Sequence, residues 1–148
     1  MGLARGECAE IREDGAVNSG DVTRKALAGI RIFNGVVGLF AARRMAEQLG
    51  GELGEDKRFV YPARMFGVRT IVLGLDLLTL PADDASARRV LSQAVVIHAT
   101  DTAAAAYAGW RGELPAKAAK LTTAISAVNT ALAVVSLATF LRSGKDSA

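Results

Sequence analysis

Four mostly apolar stretches alternate with short charged segments along the chain. Each is roughly 17–25 residues long, the length a helix needs to cross about 30 Å of hydrocarbon. The first helix is predicted over 23–49, with an apolar centre from Ala26 to Ala42, candidate N-caps at Asp21 and Thr23, and a stop at Gly50-Gly51. The second opens at Pro62, a favoured first-turn position, and runs to Leu80, where Pro81 ends it. After the turn Pro81-Ala82-Asp83-Asp84, with Asp83, Asp84 or Ser86 as cap, the third covers 86–110. Arg111 to Leu114 make a tight connection, and Pro115 opens the fourth helix, 115–141. Residues 1–22 read as a disordered or loosely packed polar tail, 50–61 as a charged loop and 143–148 as a polar C-terminal tail.

Short connections after the second and third helices make antiparallel neighbours. The expected fold is therefore all-α, a four-helix up-down-up-down transmembrane bundle. A water-soluble four-helix bundle is the alternative, but it would carry its apolar residues along one stripe of each helix. Here they cover most of the circumference. Glycine and alanine recur inside the stretches, where membrane helices use them for close packing.

Charge adds less. The 148 residues carry a formal net charge of +3. The basic residues flank the apolar stretches, as lipid-headgroup anchors do, and no basic face is interleaved with aromatics as nucleic-acid binding requires. Cys8 is the single cysteine, which excludes an internal disulfide and a Cys-pair metal or redox centre. No apolar region precedes it, so the first apolar stretch is expected to remain in the mature protein. With the N-terminus inside, Arg24, Lys25, Arg88, Arg89, Arg142 and Lys145 flank the spans on the inner side. The outer side holds Arg43, Arg44, Lys57, Arg58, Arg64, Arg111, Lys117 and Lys120. This slightly favours the reverse orientation. The uncleaved polar tail argues instead for cytoplasmic termini in a multi-pass protein of the cell membrane.

Ionisable groups inside a span cost roughly 2.5–3.5 kcal/mol each. This chain places Arg31, Arg69, Asp76, His98 and Asp101 there, with Asn34 and Asn129, and these seven form the candidate intramembrane polar cluster. At 1.5 Å per residue, depth matches Arg31 with Asp76 and Arg69 with Asp101. His98 and Asn129 fall nearer the midplane. Such groups either staple the bundle and set its register, or line a polar cavity for a proton, ion or small ligand. An arginine on each carboxylate opposes easy proton uptake and weighs against a proton relay.

The run Arg64-Met65-Phe66-Gly67-Val68-Arg69-Thr70 through Gly74-Leu75, the segment His98 to Ala104, the exit Trp110 to Pro115, and Asn34-Gly35 resemble a group of small, uncharacterised four-helix membrane proteins common in actinobacteria. Arg64, Gly67, Arg69, Gly74 and Asp101 match that group's pattern, over most of residues 24–141. Thr70 stands where an Asp often follows the second Arg. The resemblance implies the four-helix fold and no particular activity.

No catalytic constellation, cofactor motif or metal-ligand set emerges. His98-x-x-Asp101 is a helix-packing pair more readily than a ligand set, and no Gly-rich phosphate loop is present. The reading that follows is a non-enzymatic accessory or scaffold component. Its partners are the bilayer and either another membrane protein or further copies of itself. The alternative is a small oligomeric transporter or channel with a polar intramembrane cavity.

Overall fold

The computed structural model describes residues 3–49, 60–81 and 83–146. Among them there is no strand, and five helices follow in order: α1 Leu3–Phe40, α2 Ala42–Leu49, α3 Val60–Leu78, α4 Asp84–Trp110 and α5 Ala116–Asp146. The expected stop at Gly50-Gly51, most of the 50–61 loop, Ala82 and the last two residues lie outside the described residues.

Two boundaries differ from expectation at the N-terminal end. α1 is helical from Leu3, so Asp21 and Thr23 sit inside a helix and cap nothing. Asp21 instead pairs along the helix with Arg24 and Lys25, and the Thr23 hydroxyl donates to the Gly20 carbonyl at 3.0 Å. The predicted single helix over 23–49 is interrupted at Ala41, which separates α1 from the short α2. The other ends fall within a few residues of expectation, except that α5 continues to Asp146. Asp83 is the cap of α4: its carboxylate accepts from the Ser86 N–H at 2.8 Å. The α4 exit is a Schellman turn. Gly112 takes φ +70°, while the Gly112 and Glu113 N–H groups donate to Gly109 and Ala108.

α1 packs on α3 and on α5, α4 packs on α5, and α3 meets α4 only sparsely. Contacts between ends set the directions. Gly38 of α1 lies against Ala63 near the start of α3, and Gly74 against Ala28. Thr23 bonds Ser136 near the end of α5, and Gly109 near the end of α4 faces Ala119 near the start of α5. Sequential long helices are therefore antiparallel.

The packing seams alternate steps of three and four residues, the spacing of long antiparallel helix contacts. On α3 the buried positions are Ala63, Gly67, Thr70, Gly74 and Leu77; the matching run on α1 is Ala28, Arg31, Gly35 and Gly38, continued by Ala42 at the start of α2. Small residues let these two backbones touch: a Cβ on Gly67 would lie 2.6 Å from the Gly35 carbonyl oxygen and 2.7 Å from the Leu39 nitrogen. Arg24 closes the other end of the pair. Its guanidinium donates to the Leu77 carbonyl at 2.5 Å and the Leu78 carbonyl at 3.2 Å, the last acceptors of α3.

The interior is small-sided and partly polar. Nine of the twelve buried apolar residues among those described are alanine, and Arg31, Thr70, His98, Asn129 and Ser136 are buried with them. Apart from the buried Leu27, Leu77 and Leu91, many large apolar side chains point outward, including Phe40 at 80% and Trp110 at 79% exposure.

By length and hydropathy alone, one described helix qualifies as a membrane span: Ala116–Gly144, with mean hydropathy 1.9 over a window of which 17% is buried. The four-span expectation is met by this measure only there. The other three long helices fall short because of the residues singled out above. Arg64, Arg69 and Asp76 share the 19 residues of α3, and His98 and Asp101 sit in the apolar part of α4. α1 ends at Phe40, only 15 residues beyond Lys25.

Candidate functional site

The far half of the bundle, where α1 and α4 end and α3 and α5 begin, contains a cavity of about 560 Å³. Five of the seven cluster candidates line it: Arg31, Asn34, His98, Asp101 and Asn129. Its apolar wall is built from Val37, Phe66, Leu121 and Ile125. Exposed Phe66, Lys117, Leu121 and Thr122 lie at its mouth.

At the inner end, Arg31 Nη1 and His98 Nε2 are 2.5 Å apart, and both residues are buried. A guanidinium only donates. Nε2 therefore offers its lone pair, and the imidazole proton resides on Nδ1. Helix α1 brings Arg31 here because it continues the seam Ala28-Arg31-Gly35. Helix α4 brings His98 on the buried stripe Ala87, Leu91, Ala94, His98. Asp101, half-buried one turn on, acts on Arg31 as an attracting charge, and Arg69 acts on it as a repelling one. Two buried polar atoms at this end have no hydrogen-bond partner: Arg31 Nε and Asn129 Oδ1.

Beside the cavity, hydroxyls tie α4 to α5. Thr102 Oγ1 lies 3.1 Å from Thr130 Oγ1; one hydroxyl donates across to the other, and the accepting one donates its single proton to its own helix, at the His98 or Ser126 carbonyl. Among the described residues no cluster of three or more metal-ligating side chains forms.

The expected ion pairs Arg31–Asp76 and Arg69–Asp101 are absent among the described residues, and Arg69 and Asp76 stand exposed on α3, away from the cavity. Depth along a helix sets height but not azimuth. Arg69 is one position from Thr70 and two from Gly67, hence about 100° and 160° around the helix from the seam. The glycines, not the charges, decide which side of α3 turns inward. Asp101 consequently lines the cavity together with Arg31, and Arg69 does not.

Thr70, Thr122 and Ser126 also line the cavity and were not anticipated. A signal existed for each. Thr70 is in register with Gly67 and Gly74, while Thr122, Ser126, Asn129 and Ser136 follow one stripe of α5 in steps of four, three and seven.

No family model, curated protein or solved structure matches this chain.

Proposed function

We propose that this protein is a small multi-pass membrane protein whose helices α1, α3, α4 and α5 span the bilayer around a binding cavity for a small amphipathic ligand. A transport or carrier role through an oligomer is the corresponding activity.

The membrane half of this reading is supported by the inverted distribution of side chains. Fully burying one large apolar side chain contributes about 1.5–3 kcal/mol. Among the described residues twenty such side chains are exposed on the surface of the bundle, including Phe33, Val68, Val72, Val128 and Val134. In water that forfeits roughly the whole 5–15 kcal/mol that keeps a domain folded. In lipid it costs nothing, and close packing of small residues then holds the helices together. The charges that lower the hydropathy of α4 lie inside the bundle rather than toward lipid. The likeness to small four-helix actinobacterial membrane proteins through Arg64, Gly67, Arg69, Gly74 and Asp101 belongs to the same proposal.

The orphaned pair of buried polar atoms carries the ligand half. Arg31 Nε is a donor and Asn129 Oδ1 an acceptor, each on a side chain that is nine-tenths or more buried and that lines the cavity. An unmet buried polar group costs about 1–3 kcal/mol, and a ligand offering one acceptor and one donor relieves both. Cavities of this size, with an apolar wall and a few convergent polar groups, are typical of small-molecule sites. Phe66, Leu121 and Ile125 would take the apolar body of the ligand, and Arg31, Asn129 and Asp101 its polar end.

The test is native mass spectrometry of the protein extracted in mild detergent. Wild type is expected to release a small molecule of fixed mass, and Asn129→Leu, which removes the acceptor and fills the space, is expected to release none. Equal release from both, or none from either, refutes the binding reading. A second reading, an accessory subunit docked on a larger membrane protein, is favoured by the uncovered outer face of α3. Recovery of a stoichiometric different polypeptide in the same preparation would establish it.

A further inference from the structure

The outer face of α3 carries a pattern that the cavity does not use. Met65, Arg69, Val72, Asp76 and Thr79 follow one another in steps of four and three, so they form one stripe, and all five are exposed. α4, the nearest candidate to cover it, barely meets α3. Arg69 and Asp76 make no ion pair among the described residues. Their charges are opposite and seven residues, about 10 Å, apart along the axis. The midpoint between them, at Val72 and Leu73, lies about halfway between Arg64 and Asp83, the charged residues that flank the apolar part of the helix. The stripe is thus close to symmetric about the centre of the span, with the charges inverted across it.

Resting on the membrane reading above, we infer that α3 is the contact helix of an antiparallel homodimer, in which two copies insert with opposite orientations and Arg69 of each pairs with Asp76 of the other. A two-fold axis in the membrane plane at Val72 brings both pairs to the same depths at once, an isologous contact closed at two subunits. The alternative two-fold, along the membrane normal, would set Arg69 against Arg69 and Asp76 against Asp76, and it is rejected by the same charges. Only the antiparallel arrangement removes all four exposed charges from lipid.

The flanking charges permit it. Orientation is set by the bias of Lys and Arg between the two sides. Beyond the flanking residues named above, the N-terminal stretch contributes Arg5 and Arg12 to the side of Arg24. The tally is then even, eight against eight, with Arg31 and Arg69 inside the spans making up the 18. A chain with no bias has no reason to choose one orientation. The cytoplasmic placement of both termini then holds for half of the copies, and the two cavities of the dimer open toward opposite faces of the membrane.

Two experiments test this together. Arg69→Asp and Asp76→Arg, each expressed alone, place like charges at both contacts, so each is expected to weaken dimerisation in detergent at least about tenfold. Co-expressed with different tags, the two variants are complementary at both contacts, so they are expected to co-purify as a heterodimer. That rescue separates a charge effect from misfolding, and its failure overturns the inference. Helix direction is read by disulfide trapping in a Cys8→Ala background. Met65→Cys mixed with Thr79→Cys is expected to cross-link, and Met65→Cys alone is not; the reverse pattern means a parallel dimer and overturns the inference.

Orientation is read on intact cells with a membrane-impermeant maleimide, using Cys8, or Ser147→Cys in the Cys8→Ala background. About half of the thiols labelled before permeabilisation is the expected result for a chain without bias. All or none labelled, with the chain in the membrane fraction, overturns the dimer while leaving the membrane reading intact. A chain found in the soluble fraction overturns both.

Discussion

Replacing Gly67 by alanine isolates the contact on which the α1–α3 pair depends. The added Cβ would sit 2.6 Å from the Gly35 carbonyl oxygen, 2.7 Å from the Leu39 nitrogen and 3.0 Å from the Gly38 carbonyl carbon. All three are backbone atoms of another helix, so no rotamer change relieves them. Comfortable contacts between heavy atoms begin near 3.5 Å, and the two helices must separate by roughly 0.8 Å to restore that spacing. A gap of 0.5–1 Å forfeits about a quarter to a half of each dispersion contact along the seam. Overpacking of this kind costs about 1–3 kcal/mol, against which alanine regains about 0.5–1 kcal/mol of helix propensity. The net expectation is a loss of about 1–2 kcal/mol. Gly29 supplies the control, because it lies in α1, the helix that Gly67 touches, with nothing within 4 Å of an added Cβ. Gly29→Ala is expected to be neutral or stabilising by up to about 1 kcal/mol. Thermal unfolding of both variants in the same detergent, followed by circular dichroism, measures the difference. If Gly67→Ala melts with or above wild type, the two backbones do not touch at this point and the seam is placed wrongly.

Arg24→Ala removes two hydrogen bonds to the α3 terminus at once, to the Leu77 and Leu78 carbonyls. A loss of about 1–3 kcal/mol is expected, as for hydrogen bonds from charged donors, with hydrogen exchange rising first in the last turn of α3. Arg24→Lys, which lacks the planar fork, should recover only part of it. Acid should loosen the molecule at two places outside the spans. The Lys25 ammonium and Arg24 guanidinium hold the Asp21 carboxyl below its usual range, and the hydrogen bond from the Ser86 backbone N–H does the same for Asp83. A depressed folded-state pKa means stability present above the ordinary carboxylate value of about 3.9 and lost as pH falls through the lower folded one. Wild type should lose melting temperature below about pH 4 more steeply than the Asp21→Asn, Asp83→Asn double variant; parallel curves would show that neither carboxylate is paired.

Periodicity and composition, taken alone, left the start of α1 at Leu3 and its break at Ala41 illegible, but already determined that the chain is helical, where α3 and α4 lie and where α5 begins to within a few residues, and that Asp83 or a neighbour caps α4. These are local matters: proline at a first turn, glycine at a left-handed position and the length of an apolar run act over one or two turns of chain. Arg31, His98, Asp101, Asn34 and Asn129 could be singled out for a related reason, since an ionisable or amide side chain in an apolar run is costly wherever it points. Which of the seven polar candidates meet was decided only by tertiary packing. Steric fit of Gly35, Gly38, Gly67 and Gly74 sets the rotation of α3 about its axis. That rotation turns Thr70 inward, leaves Arg69 and Asp76 outside, and hands Arg31 to His98. Azimuth depends on the shapes of two surfaces in contact, and no spacing along one helix contains the shape of the other.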